Sequence, residues 1–150
     1  TALVHVVETC PNVKQLTVTR PPMSRIFDNA TTWTVNPDVL LRVAERWTHL
    51  RELNLFWAKN VTNEALGAVL TRCTRLQKLV LMHSDHLDDA LVTLIRDLMH
   101  TNRLQLEHLD LLYNTNVTIQ TLSRLTNQTT SSSKRLHVVG AHNTTGHDCT

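Results

Sequence analysis

The strongest constraint on the fold is a short phrase, apolar-x-x-Leu-x-apolar, that recurs along the chain. It begins at Val13, Leu50, Leu76 and Leu106, and a weaker fifth copy begins at Ser133. The intervals between these first positions are 37, 26, 30 and 27 residues. Periods of about 20 to 50 residues are typical of repeat proteins, in which stacked units bury together the apolar side that one unit cannot bury alone. The chain is therefore predicted to be a repeat protein.

A second pattern follows the three middle phrases and predicts helices. A small or turn-forming residue comes first, at Ala58, Ser84 and Asn114. An apolar residue and a helix-capping polar residue come next, as Val61-Thr62, Leu87-Asp88 and Val117-Thr118. Apolar residues then recur at helical spacing. We therefore place helices at residues 37–47, 63–73, 89–100 and 119–128, the first beginning at a proline, which suits the first turn of a helix.

The best single copy of the combined pattern begins at Cys73 and runs through Leu76, Leu79, Leu81, Ser84 and Leu87 to Asp88-Asp89. It resembles the cysteine-containing leucine-rich repeat of F-box substrate receptors and of antagonist-of-mitotic-exit-like proteins. The resemblance covers about residues 10–139. It implies an α/β, ribonuclease-inhibitor-like solenoid of about four to five repeats, with short parallel strands on the concave side and helices on the convex side. Ala58, Ser84 and Asn114 stand where the family has a second cysteine, and no F-box is recognisable.

Two interruptions and a tail divide the chain. Residues 21–33 insert a loop that begins with Pro21-Pro22, and a shorter insertion lies near residues 100–103. We expect one leucine-rich-repeat domain at residues 1–140. Residues 141–150 hold too few apolar side chains to pack, and are expected to form a flexible tail.

The strand register predicts a binding face. Successive strand side chains point to opposite faces, so the residues between the inward leucines face outward. We predict that a protein partner contacts Glu52, Asn54, Phe56, Trp57, Lys78, Val80, Met82, His83, His108, Asp110, Leu112 and Tyr113. Within this set Phe56, Met82 and Leu112, together with Val139, are expected to form an apolar strip, since Met and aromatic residues are enriched at interfaces. Cover by another part of the chain is the alternative explanation of this strip.

The sequence gives only weak support for catalysis, cofactor binding or metal binding. The chain has three glycines, which leaves no phosphate-binding loop, and no nucleophile motif is present, so we expect neither catalysis nor a cofactor. The turn containing His83, Asp85, His86, Asp88 and Asp89 has metal-ligating residue types, but its position before a helix favours a solvated turn. In the tail, His142, His147 and Cys149 could form part of a zinc site with His137, but a disordered tail is the favoured explanation.

The preferred function is a non-catalytic protein-interaction module or scaffold, for which the resemblance implies substrate recognition in an F-box-type ubiquitin ligase. The alternative is a structural subunit of a large ribonucleoprotein or cytoskeletal assembly. Direct RNA binding through Arg51, Arg75, Lys78 and Arg135 ranks lower because acidic residues interrupt that surface, and nucleic acid is expected only within a larger complex. Neither a membrane nor a small-molecule substrate is expected.

Three widely spaced cysteines favour a reduced compartment, so we expect an intracellular, cytoplasmic location and leave organelle import open. Five Asn-x-Thr sequons leave glycosylation open as well. They begin at Asn29, Asn60, Asn116, Asn127 and Asn143.

Overall fold

The computed structural model describes residues 2–19, 35–56, 60–84, 86–128 and 136–140. Helices and strands alternate strictly along these segments. They are α1 (Ala2–Thr9), β1 (Gln15–Val18), α2 (Pro37–Arg46), β2 (Glu52–Phe56), α3 (Asn63–Arg72), β3 (Lys78–Met82), α4 (Asp89–His100), β4 (His108–Asp110), α5 (Ile119–Gln128) and β5 (His137–Val139).

The strands form one parallel sheet in the order β1-β2-β3-β4-β5. Each strand therefore pairs with the next strand along the chain, and a helix makes every connection, as parallel pairing requires a crossover. Leu53 lies opposite Leu16 on one side and Leu79 on the other. Neighbouring helices also contact one another in chain order. The predicted α/β class with short parallel strands is confirmed.

The helices begin where the capping residues predict. Asn36 Oδ1 accepts from Val39 N at 2.9 Å at the start of α2, and Thr62 Oγ1 accepts from Ala65 N at 3.3 Å at the start of α3. Asp88 Oδ1 accepts from Ala90 N at 2.9 Å at the start of α4. The bounds of α4 and α5 agree with the prediction, and α2 and α3 each end one residue earlier.

The core lies between the helices and one face of the sheet. The inward leucines of β2, β3 and β4 are fully buried, and so is the leucine that directly follows β4; they are Leu53, Leu55, Leu79, Leu81, Leu109 and Leu111. They pack with the buried stripes of the helices in a single cluster. Because side chains alternate along a strand, the residues between these leucines lie on the opposite side of the sheet. We call that side the open sheet face.

The register of the fifth strand corrects the sequence prediction. Leu136 was expected to occupy the place of Leu109, but Val138 pairs with Leu109 and His137 pairs with His108. The strand is therefore displaced by two residues. An even displacement keeps the same side chains on the same face, which is why the inward position is still apolar. Leu136 is also buried, just before the strand.

The expected insertion at residues 21–33 and the expected tail at residues 141–150 lie outside the described residues. The shorter insertion, at residues 100–103, is a turn that closes α4. Thr101 N donates to Asp97 O at 3.1 Å, and Asn102 adopts a positive φ of 55°. In the part of the chain that the structure describes, no helix has the length and apolar character needed to cross a membrane.

Candidate partner-binding face

The register of the sheet arranges the open sheet face in rows that run across the strands. The first row is Gln15, Glu52, Lys78, His108 and His137. The second row is Thr17, Asn54, Val80, Asp110 and Val139. Adjacent members of a row lie on neighbouring strands, which are about 4.8 Å apart. Each row is therefore a continuous line of side chains.

The third row is apolar and consists of Phe56, Met82 and Leu112. Phe56 pairs with Met82 in the sheet. Leu112 follows β4, and its carbonyl accepts from His83 N at 3.4 Å, so this backbone still runs beside β3. All three side chains are half-buried, which leaves apolar surface available to a partner.

Val139 was expected in the third row, but the corrected register places it in the second row, opposite Asp110. Trp57, which was expected to border the strip, lies outside the described residues.

The middle of the second row is almost fully buried. Asn54 is 6% exposed and Val80 is 5% exposed, so these two predicted contact residues offer a partner little surface. Asn54 Nδ2 donates to Thr17 Oγ1 at 3.1 Å, whereas its buried Oδ1 accepts no hydrogen bond from the described residues. A partner would thus rest mainly on the first and third rows.

His83 and Tyr113 form a ring pair at the carboxyl ends of β3 and β4. Their centroids are 4.5 Å apart and their planes differ by 6°. Both residues have positive φ, 54° and 62°, which is uncommon for residues other than glycine. Tyr113 is 46% exposed. The pair therefore continues the apolar third row with aromatic surface.

Asn114 holds this end of the face in place. Its Nδ2 donates to Leu81 O at 2.5 Å and to Leu111 O at 2.9 Å, and its Oδ1 accepts from Ser84 N at 2.8 Å. The side chain is 1% exposed. It therefore ties together the chain segments that carry His83 and Tyr113. The sequence marked Asn114 only as a turn-forming residue.

The first row has three ionisable side chains side by side, Glu52, Lys78 and His108. His108 stacks on His137, with centroids 5.2 Å apart and planes 9° apart. Burial lowers the pKa of His108, the nearby His137 and Lys78 lower it further, and Asp110 partly opposes them.

The sequence prediction missed this histidine pair because it put Arg135 beside His108. Taking Val138 rather than Leu136 as the inward residue would have revealed it.

The acidic residues around the start of α4 accept hydrogen bonds at the starts of α4 and α5. Besides the cap at Asp88, Asp89 accepts from Thr118 N and Thr118 Oγ1, both at 2.8 Å. Burial raises the pKa of Asp89, but hydrogen bonds from Thr118 and Thr121 and the charge of Arg124 outweigh it, so the pKa is lowered. Among the described residues no group of three or more metal-ligating side chains occurs. Asp85, His142, His147 and Cys149 lie outside them.

No protein-family model matches the chain, and no curated protein matches it. Similarity is found to a solved structure described as the Rad7 and Elc1 complex in yeast, at 23% sequence identity and a TM-score of 0.48. The match covers 58% of this chain and 21% of that chain, so the chain spans about a fifth of that neighbour's length.

Proposed function

We propose that the chain is a leucine-rich-repeat solenoid that binds a partner protein on its open sheet face and catalyses no reaction. Three features support the repeat assignment: the recurring phrase, the strict alternation of helix and parallel strand, and the buried leucine at the same position of β2, β3 and β4. Stacked units of this kind create long, regular surfaces that suit macromolecular partners.

The observation that carries the binding proposal is the apolar third row with the exposed Tyr113 beside it. Large contiguous apolar patches on a folded protein mark interaction sites. Phenylalanine, methionine and tyrosine are also the side chains enriched in interface cores. The charged first row would then form a polar rim, which contributes to specificity and association rate more than to affinity.

The one buried thiol of the described residues suits a structural role rather than catalysis. Cys73 donates its thiol to Trp47 O at 3.4 Å and is fully buried. Burial raises the pKa of this thiol to about 11. Since the thiolate is the nucleophilic form, Cys73 is unreactive at neutral pH.

Recognition of substrates for an F-box-type ubiquitin ligase is the finer role that the sequence resemblance favours. It requires an F-box on the full gene product or on a tightly bound partner. Sequencing the full transcript tests the first possibility, and mass spectrometry of the purified complex tests the second. The open sheet face would then hold the protein that is to be modified.

A permanent structural subunit is the second candidate, and apolar residues at both ends of the array favour it. Val6 is 42% exposed, although the equivalent Val43 of the next helix is fully buried. Ile119, the first residue of α5, is 67% exposed. The first residues of α3 and α4, Asn63 and Asp89, each form a side-chain hydrogen bond with the residue that precedes the next helix. Further subunits packed on the two ends would cover Val6 and Ile119.

The deciding experiment compares two double variants in affinity purification with quantitative mass spectrometry. Phe56→Asp/Met82→Asp places charges in the third row, whereas Leu41→Asp/Ser123→Asp places the same charges on exposed helix positions. We expect the first variant to lose its main partner and the second to keep it, with both folded by circular dichroism. Retention of every partner by the first variant would exclude the open sheet face as the binding surface.

The same purification tests the second candidate. Val6→Asp/Ile119→Asp alters only the two ends of the array. Loss of stoichiometric partners from this variant alone would favour a structural subunit over a receptor.

A further inference from the structure

A second charged surface lies where the helices end and the next strands begin. Five exposed cationic side chains gather there, and we call them the basic edge: Lys14, Arg46, Arg51, Arg72 and Arg75. Within residues 44–51 and 70–77, Glu45 is the one acidic side chain. These two segments hold four of the five cations, so they carry four positive charges against one negative charge, in a protein whose formal net charge is only +2.

The backbone brings these residues together. Arg51 N donates to Lys14 O at 2.7 Å, so the two side chains leave neighbouring strands at the same level. Arg46 and Arg72 occupy equivalent places, each as the last residue of its helix, and α2 packs directly on α3. Arg75 lies in the turn that follows α3. The cluster thus spans the first three units of the array.

No ion pair between described residues involves the basic edge. The ion pairs found in this part of the chain are Arg42–Glu8 at 2.7 Å and Arg96–Asp97 at 3.1 Å. The negative carboxyl ends of α2 and α3 explain why positive charges are favourable at Arg46 and Arg72. They do not account for Lys14, Arg51 and Arg75, which lie outside the helices. Grouped like charges repel one another, and a bound anionic partner would relieve that repulsion.

We infer that the basic edge binds an acidic segment of polypeptide. Four of its five cations are arginines, whose planar guanidinium groups pair with carboxylates through two parallel hydrogen bonds. Single-stranded nucleic acid would in addition need exposed aromatic rings on which bases stack. Within residues 44–51 and 70–77, Trp47 is fully buried, and the one exposed ring is that of His49, whereas stacking of successive bases needs several rings.

The position of the edge also suits a polypeptide. Lys14 and Arg51 immediately precede Gln15 and Glu52 of the first row. A protein that covers the open sheet face could therefore extend an acidic segment onto the basic edge. The basic edge shares no residue with the third row, so binding at the two surfaces can be tested separately.

The test measures fluorescence anisotropy with a labelled oligo-glutamate peptide and a labelled single-stranded oligonucleotide of the same charge. The edge variant is Arg51→Gln/Arg75→Gln. Its control is Arg124→Glu, which changes the net charge equally at an exposed position on α5. We expect the wild type to bind the peptide, the edge variant to bind it about tenfold more weakly, and the control to match the wild type. Added salt should weaken binding as well.

Three results would overturn the inference: no peptide binding by the wild type, equal loss in the edge and control variants, or tighter binding of the oligonucleotide than of the peptide. Peptide binding by Phe56→Asp/Met82→Asp keeps this question separate from the proposed function. That variant should bind the peptide like the wild type, whether or not its third row binds a partner.

Discussion

Truncation of Leu79 to alanine tests whether the leucines of the strands point into the core. Leu79 lies on β3, the central strand, and is fully buried. Its register neighbours Leu53 and Leu109 are fully buried too. A side chain enclosed on both sides leaves a cavity that neighbouring strands cannot easily close.

The expected cost follows from two contributions. Leu79→Ala removes three carbons, and burial of each is worth about 0.8 kcal/mol, so lost transfer accounts for about 2.4 kcal/mol. The remaining cavity raises the total to about 3–5 kcal/mol. Most small domains have a free energy of unfolding of only about 5–15 kcal/mol, so the loss should be large enough to measure easily.

Leu16→Ala is the matched control. Leu16 pairs with Leu53 and holds the equivalent position on the edge strand β1, where it is only half-buried. Its neighbourhood is open on one side, so the expected cost is about 1–2 kcal/mol.

Urea unfolding followed by circular dichroism and tryptophan fluorescence measures both variants. For an m-value of about 2 kcal/mol/M, the midpoint for Leu79→Ala should fall by about 1.5–2.5 M. A change below about 0.5 kcal/mol, typical of surface substitutions, would refute the inward placement of this side chain. So would equal losses for the two variants.

Three further predictions concern buried polar and titratable groups. Asn114→Ala should lower the free energy of unfolding by about 1–3 kcal/mol, because it leaves the buried Ser84 N–H without its acceptor. Hydrogen exchange of the Ser84 amide should accelerate, and unchanged protection there would contradict the role given to Asn114. The pKa of His108 is lowered from its ordinary 6.5, so the unfolded chain binds more protons than the folded chain below that pH. The free energy of unfolding should therefore be greatest above pH 6.5 and should fall on acidification through the folded pKa. A His108→Gln variant that kept the same pH dependence of unfolding would show that another group is responsible. Iodoacetamide at neutral pH should alkylate the exposed Cys10 and leave the buried Cys73 unmodified until urea unfolds the protein. Peptide mass mapping measures both, and modification of Cys73 before unfolding would contradict its burial and raised pKa.

The helices could be placed from sequence because their start signals are local. Asn36, Thr62 and Asp88 each accept a hydrogen bond from an N–H of the first turn, and that requirement is visible in the residue types. The strand leucines were equally clear, since a period of two assigns every residue to a face. Helix α1 was not predicted, because Ala2–Thr9 is rich in β-branched valine and the first recurring phrase begins only after it, at Val13.

The fifth strand shows where sequence patterns become ambiguous. Leu136, Val138 and Val139 are all apolar, and a strand displaced by two residues satisfies the alternation equally well. Only pairing with β4 selects Val138 as the partner of Leu109. The stacks of His108 on His137 and of His83 on Tyr113 depend on such pairing across strands. They could not be read from spacing along the chain.

The burial of Asn54 and Val80 was also beyond sequence reasoning. Alternation assigns both to the open sheet face, and their positions in the second row agree with that. Alternation says nothing about how far the neighbouring first and third rows cover them. The extent of exposure, and hence which residues a partner can touch, depends on the side chains of adjacent strands.

Site-specific photocrosslinking in cells tests the central claim most directly. A photoreactive benzoylphenylalanine is placed at Met82, in the third row, and at the exposed Ser123 on α5 as the control. We expect position 82 to give a discrete protein adduct and position 123 to give none. Adducts of the same partner from both positions, or from position 123 alone, would contradict binding on the open sheet face.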